Sequence, residues 1–252
     1  MKIALLGNGM GTRSSDLHRA IAKAIGAPLE FEVKNAVRDT LAATVGELLN
    51  SYDGFFVTKP YKNDISRFIG NKSGSVNVVR SRDRKAFNTD GAGFVRALDR
   101  NFIDWRTKVK SAVVLGAGGG AYAVTKELIA LGKKVFVLNR TLKHALRLST
   151  LGAELYTNQP AELIINCTPL GTYGEDALKT LCVQPYFDYA FDLVYTDDTP
   201  FLRRIRALGG QTANGSGMLI YQAIEGARII TDGDFDIEDV YEKVRAELGG
   251  RL

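Results

Sequence analysis

Two short segments carry side chains able to manage a proton. Val57-Thr58-Lys59-Pro60-Tyr61-Lys62 runs from the end of an apolar stretch into a proline-stiffened turn, and Asn88-Thr89-Asp90-Gly91 stands where a strand-like stretch turns into a helix. A lysine and an aspartate at adjacent strand ends of an open α/β sheet face the crevice where such sheets bind ligands. Paired, they hold a proton beside a hydroxyl or carbonyl undergoing hydride transfer. The carboxylate orients the ammonium, and burial tunes the lysine toward proton exchange. Taken singly, each residue has a plainer reading: Lys62 as a surface lysine opening a helix, Asp90 as an N-cap.

A third segment points to a nucleotide. Val113-Val114-Leu115 feeds Gly116-Ala117-Gly118-Gly119-Gly120 near the middle of the 252-residue chain. An apolar strand, a glycine turn and a helix form the phosphate-binding half of a Rossmann unit. Gly116 permits the tight turn, Gly118 lets backbone amides approach a pyrophosphate, and the helix N-terminus offers unpaired N–H groups and a positive dipole end. The next strand closes with Asn139-Arg140-Thr141. An acid there would accept hydrogen bonds from the 2′-hydroxyl of NAD. Neutral Asn139, followed by Arg140 and by Lys143 a turn later, suits a 2′-phosphate instead, so NADP is favoured over NAD.

The elements that must position these groups alternate. Lys2–Leu6 reads as a buried strand before a glycine-rich loop, with a helix from Ser14 or Ser15. Leu29–Val33 is a second strand, and the spacing of Val37, Leu41, Val45 and Leu48 predicts a helix over 36–49. Gly54–Thr58 is a third strand, and Val76–Arg80 with Lys85–Asn88 form a pair. Beyond a helix over 90–100, the glycine turn opens a helix to Leu131, followed by strands Lys134–Leu138, Leu163–Asn166 and Tyr189–Leu193. Helices over 217–230 and 237–248 close the chain. The fold class is α/β with two domains. Residues 1–100 form an open α/β substrate and catalytic domain, completed by helices returning over 217–252, and residues 101–216 form a Rossmann-type dinucleotide-binding domain.

Composition bounds the rest. With 45% hydrophobic and 24% charged residues and no apolar run of membrane-spanning length, the chain is an ordinary globular protein with room for two domains. The N-terminus lacks a signal-peptide pattern, and two cysteines without CxxC or zinc spacing suit a reducing cytoplasm. Two histidines do not supply a histidine-rich metal site, and none is expected. The net charge of +5 fits solvated helix faces as well as an anionic small substrate, and without aromatic interleaving it does not point to nucleic acid. The expected partners are a small anionic substrate and the dinucleotide, in a monomer or homodimer away from membranes.

The order of segments carries further information. Thr58-x-Pro60-Tyr61-Lys62, then Val76-Asn77, Asn88-Thr89-Asp90-Gly91, Gly116-Ala117-Gly118-Gly119 and Asn139-Arg140-Thr141, followed by Gly215-Ser216-Gly217-Met218-Leu219-Ile220-Tyr221-Gln222-Ala223, resembles the shikimate dehydrogenase family over nearly the whole chain. The resemblance implies Lys62 and Asp90 as the catalytic pair, and Thr58, Asn77 and Gln222 as hydrogen-bonding partners of the substrate's hydroxyls and ring. Thr12 and Ser14 take the place of two serines that grip its carboxylate. Gly116, Gly118, Gly119, Asn139, Arg140 and Thr141 hold the cofactor's phosphates and adenosine ribose, and Thr168, Leu193, Gly215 and Met218 line its nicotinamide side. The implied reaction is the reversible NADPH-dependent reduction of 3-dehydroshikimate to shikimate, on the route to chorismate and the aromatic amino acids, in a cleft between the domains.

The chain also departs from the family pattern. Thr12-Arg13-Ser14-Ser15-Asp16-Leu17-His18 replaces Ser-x-Ser-Pro followed shortly by His, Phe56 replaces an Asn, Lys59 replaces an apolar residue, and His144 stands at the basic position after Asn-Arg-Thr. Quinate or amino-shikimate as substrate, NAD as cofactor, and a non-catalytic NADP-binding regulator therefore stay open alternatives. Tyr61 and Tyr195 are read as packing residues or substrate contacts, Cys167 as a small buried hydrophobe, and His18 as structural.

Overall fold

The computed structural model describes residues 1–8, 13–70, 75–196 and 198–249, and of Arg13 and Ser14 only the backbone. The chain divides into two compact units, one comprising Met1–Thr89 with Ile220–Leu252, the other Asp90–Leu219.

In the first unit, β1 (Lys2–Gly7), α1 (Arg13–Ala24), β2 (Glu30–Asn35), α2 (Leu41–Ser51) and β3 (Gly54–Val57) alternate. A 3-10 turn at Tyr61–Asn63, α3 (Ile65–Phe68), β4 (Val78–Arg80) and β5 (Lys85–Phe87) follow. The sheet runs β2-β1-β3-β4-β5, parallel among the first three strands and antiparallel beyond. β3 is buried on both faces: Phe55 and Val57 join Leu6, Leu48 and Tyr61 on one side, and Phe56 joins Ile3, Leu5, Val78 and Ile230 on the other. The helix expected over 36–49 begins only at Leu41. Val37 is exposed, and the Thr40 hydroxyl both accepts from the Val37 N–H and donates to its carbonyl at 3.2 Å, closing a local turn that competes with helix.

The second unit contains α4 (Asp90–Asn101), α5 (Trp105–Lys108), β6 (Ser111–Leu115), α6 (Gly119–Ala130), β7 (Lys134–Leu138) and α7 (Leu142–Ser149). It continues with β8 (Glu154–Leu155), β9 (Leu163–Asn166), α8 (Ala177–Thr180), β10 (Tyr189–Asp192), α9 (Pro200–Arg206) and β11 (Gln211–Asn214). Its sheet runs β8-β7-β6-β9-β10-β11, parallel throughout. The chain winds outward from β6 through β7 to β8, then resumes on the other flank of β6 at β9. That reversal opens a crevice at the carboxyl ends of β6 and β9. The fold class is therefore α/β with a doubly wound parallel sheet in one of two units.

α4, which the sequence reads as the bridge from residues 1–100 to the second domain, lies in the second unit. A Cβ at Gly91 would meet Glu127 Cγ at 2.5 Å, so this glycine lets α4 lie close on α6, and Phe94 packs edge-on against Phe191 at 5.2 Å. The last helices, α10 (Ser216–Thr231) and α11 (Ile237–Leu248), contribute Ile220–Leu252 to the first unit. There a Cβ at Gly226 would meet Phe56 Cε1 at 2.3 Å, so glycine allows α10 to reach β3. Phe56 is thus a core residue. No helix among the described residues is long and apolar enough to cross a membrane.

His18 is buried, stacked on Phe31 at 4.9 Å and tilted against Phe56 at 4.1 Å, and desolvation lowers its pKa from 6.5 to about 3. It is neutral in the fold and protonates in the unfolded chain below pH 6.5, so its contribution to stability is present above that pH and declines as pH falls toward 3. Between pH 7 and pH 5 the loss amounts to about 2 kcal/mol. In denaturant titrations at the two pH values, the stability difference between wild type and His18→Leu should shift against the wild type by that amount on acidification. A pH-independent difference would place a charged or solvated imidazole at this position.

Candidate active site

In the first unit, the strand ends gather a polar cluster. Asn77 precedes β4, is buried, and orders its surroundings through both ends of its amide. Its Oδ1 accepts from the Thr89 N–H at 2.8 Å, while Nδ2 donates to Thr89 Oγ1 at 2.9 Å and to Gln222 Oε1 at 3.0 Å. Thr89 Oγ1 donates in turn to the Gln222 carbonyl at 2.8 Å. Residues distant in sequence, Asn77 and Gln222, are thereby brought together, with Thr89, to which the sequence alone assigns no role, as the hinge of the cluster. Its signal is its place between Asn88 and Asp90 in the Asn-Thr-Asp-Gly segment.

Thr58 follows β3 and is half-buried, its N–H bonded to the Leu6 carbonyl at 3.0 Å. The Lys59–Pro60 peptide is cis, and the 3-10 turn after it carries half-buried Lys62. Tyr61 points into the core and donates to the Ala36 carbonyl at 2.6 Å, so it is a packing residue. Ser14 lies in the first turn of α1, and Thr12 lies outside the described residues.

In the second unit, Asp90 opens α4 and is buried. Tyr195 is 50% exposed, yet its phenol pKa is raised by desolvation and by the charge of Asp90. The glycine turn sits at the reversal of strand order. Gly116 has φ +104°, a conformation that L side chains rarely adopt, and a Cβ there would press on Thr168 Cγ2 at 3.1 Å and on the Cys167 carbonyl carbon at 3.2 Å. Gly118 is the N-cap of α6 without a capping side chain, and a Cβ on it would meet nothing within 4 Å. The space beside Gly118 is thus open at the start of α6, while a Cβ on Gly120 in the first turn would meet Leu193 Cδ2 at 3.0 Å, so glycine keeps this helix start free of side chains of its own, as a pyrophosphate requires.

One strand over, Asn139 Nδ2 donates to the Thr141 carbonyl at 2.9 Å and shapes the turn into α7. Arg140, Thr141, Lys143 and His144 around that turn are exposed, and among the described residues no carboxylate pairs with Arg140 or Lys143. Cationic side chains left uncompensated at this strand end fit a 2′-phosphate better than a neutral ribose hydroxyl.

The loops after β9 and β10 complete the edge. Thr168 follows β9, and Leu193 follows β10. Gly215 lies tight against the second of these loops: a Cβ would meet the Leu193 carbonyl oxygen at 2.6 Å and the Tyr195 ring at 3.1 Å. Met218 is buried in the first turn of α10. Beneath the loops lies a group that sequence reasoning does not find, the buried pair Asn166 and Asp192. Asp192 Oδ1 accepts from Asn166 Nδ2 at 2.9 Å and from the Val194 N–H at 3.0 Å, and Oδ2 accepts from Thr199 Oγ1 at 2.7 Å. Desolvation raises the Asp192 pKa from 3.8 to about 6 against the lowering effect of these donors. Cys167 is partly buried, and burial together with the charge of Asp192 drives its thiol pKa well above the usual range. It is no nucleophile at neutral pH.

The chain matches no family model. A shikimate dehydrogenase (NADP(+)) of Staphylococcus aureus (strain MSSA476) is 30% identical over 274 residues, covering 99% of this chain and 100% of its own length. A second one, from Caldicellulosiruptor bescii, is 34% identical over 203 residues, covering 71% and 70% of the two chains. Among solved structures, shikimate 5-dehydrogenase from Thermus thermophilus, in complex with NADP(H) and shikimate, superposes with a TM-score of 0.79 at 27% identity, covering 98% of this chain and 100% of that one.

Because Asp192 takes a proton more readily folded than unfolded, its contribution to stability is greatest below pH 3.8 and is lost as pH rises through about 6. On acidification from pH 7 to pH 5 the wild type should gain about 1 kcal/mol relative to Asp192→Asn, a shift opposite in sign to that of His18. Chemical denaturation at both pH values measures it, and a shift of the other sign would mean a carboxylate stabilised in its charged form.

Proposed function

The chain belongs to the shikimate dehydrogenase family, and we propose that it catalyses the reversible, NADP-dependent interconversion of 3-dehydroshikimate and shikimate. The observation that carries this reading is the glycine turn at the strand-order reversal, with Arg140, paired with no carboxylate among the described residues, at the neighbouring strand end. Gly116, Gly118 and Gly119 would hold the pyrophosphate, and Asn139, Arg140 and Thr141 the adenosine ribose and its 2′-phosphate. Thr168, Leu193, Gly215 and Met218 would line the nicotinamide. When bound, the dinucleotide supplies or accepts the hydride at C3 of the substrate.

The chain's own residues do the remainder. Lys62 donates the proton to the C3 oxygen in reduction and removes it in oxidation, and Asp90 orients the ammonium. Thr58, Asn77 and Gln222 hold the ring hydroxyls, and the Asn77–Thr89–Gln222 hydrogen bonds fix two of these groups before substrate arrives. Thr12 and Ser14 take the carboxylate. The first unit is then the substrate domain and the second the dinucleotide domain. Phe56 bears on the fold and not on substrate choice, because its ring is spent on His18 and the core. Two cysteines without CxxC spacing suit a cytoplasmic protein, working as a monomer or homodimer.

The test follows reduced-nicotinamide absorbance with shikimate or quinate and with NADP⁺ or NAD⁺. Reduction with shikimate and NADP⁺ supports the reading, and turnover of quinate alone, or none from folded protein, contradicts it. Lys62→Ala should lower kcat by about 10²–10⁴ with an unchanged melting temperature, the range expected for lost acid–base help; near-normal kcat would remove Lys62 from the mechanism. Arg140→Ala should raise KM for NADP⁺ about tenfold or more while leaving KM for NAD⁺ unchanged, the effect of losing one charge-assisted contact. An equal rise for both would place Arg140 away from the 2′-phosphate.

A further inference from the structure

A buried carboxylate beside the cofactor edge has no part in the chemistry above. Asn166 and Asp192 are register partners, the last residues of the adjacent parallel strands β9 and β10, and both are fully buried. Together they bind three chain segments. Asn166 Oδ1 accepts from the Thr168 N–H at 3.1 Å and from Thr168 Oγ1 at 2.6 Å, and Nδ2 donates to the Leu170 carbonyl at 2.9 Å, which pins the loop after β9. Asp192 accepts from the Val194 N–H, which pins the turn after β10. Its other oxygen takes the Thr199 hydroxyl, whose oxygen also accepts from the Leu202 N–H at 3.3 Å and caps α9. A Cβ placed on Gly171 would come within 3.3 Å of Thr199 Cγ2, so at this glycine the first loop closes directly on the lock.

Among the described residues the donors to Asp192 are an amide, a hydroxyl and a backbone N–H, with no cation among them. Apolar residues of the same volume would avoid the cost of burying a charge without a counter-ion, but would leave the Thr168 and Val194 N–H groups and the Leu170 carbonyl without these partners. What apolar residues cannot do is fix the direction of Thr168 Oγ1 and of the backbone at Leu193 and Val194 at once.

We propose that Asp192 and Asn166 are positioning residues that set the loops after β9 and β10 to receive the nicotinamide end of the dinucleotide. The inference rests on the reading of Thr168 and Leu193 as nicotinamide-lining. Asn139 and Arg140 follow β7, two strands away from β9, so the adenosine end is held independently of the lock.

That separation supplies the test. Calorimetric titration of the full chain with NADP⁺ and with 2′,5′-ADP, the adenosine half alone, is run on wild type, Asp192→Asn and Asn166→Ala, with melting temperatures alongside. Each variant should weaken NADP⁺ about tenfold, the scale of one buried charge-assisted hydrogen bond, and leave 2′,5′-ADP within about twofold. A residue of structural importance only would lower the melting temperature and weaken both ligands together, or neither, and either pattern overturns the proposal. Should either variant fail to fold, Thr199→Val and Thr199→Ser replace it: the valine should weaken NADP⁺ selectively and the serine, which keeps the hydroxyl, should restore it. Binding of NADP⁺ without oxidation of shikimate would fail the substrate reading while the affinity comparison still decides this one. A wild type that binds neither ligand overturns both.

Discussion

A parallel sheet imposes one demand at its carboxyl edge: each peptide group that leaves the ladder must find a new partner or remain buried and unpaired, at a cost of about 1–3 kcal/mol each. In the second unit Asn166 and Asp192 meet that demand for the Thr168 and Val194 N–H groups and the Leu170 carbonyl. The two side chains sit opposite one another because β9 and β10 are in register there. Where the loops after β9 and β10 leave the sheet is set by this pair. Desolvation raises the Asp192 pKa, and the hydrogen bonds it accepts offset only part of that.

The first unit answers the same demand with neutral groups. Asn77 binds Thr89 through both amide ends and reaches Gln222, tying the segment after β5 to α10. A buried amide hydrogen-bonded at both ends in this way is directional, and it is satisfied without a charge. Glycine enters both units where side chains would block approach: Gly226 under Phe56, Gly91 under Glu127, and Gly116 against the Cys167 and Thr168 backbone and side chain.

Much of this is legible in the residues. The strands over 134–138 and 163–166 and the helix over 237–248 stand where apolar runs and periodicity place them, because their burial is strong enough to dominate. The start of α2 is not legible, since Val37 fits the helical spacing while the Thr40 hydroxyl takes its N–H out of play. β11 gives no strand signal because Gln211-Thr212-Ala213-Asn214 is a polar edge strand with a single buried residue. Likewise α4 reads from sequence order as a bridge to the second domain, and its packing, Gly91 close on Glu127 and Phe94 edge-on against Phe191, puts it within the second unit. The Asn166–Asp192 pair is hidden for a plainer reason: each residue closes an apolar run and reads alone as a strand end, and only the pairing of β9 with β10 joins them.

In the proposed mechanism the dinucleotide lies across the carboxyl edge of the second sheet. A crystal structure of the NADP⁺ complex tests it most directly. The pyrophosphate should lie on the first-turn N–H groups of α6, the 2′-phosphate against Arg140, and the nicotinamide beside Thr168 with its hydrogen bond to Asn166 intact. A dinucleotide bound elsewhere on the chain, or a nicotinamide seated only after the Thr168–Asn166 bond breaks, would contradict it.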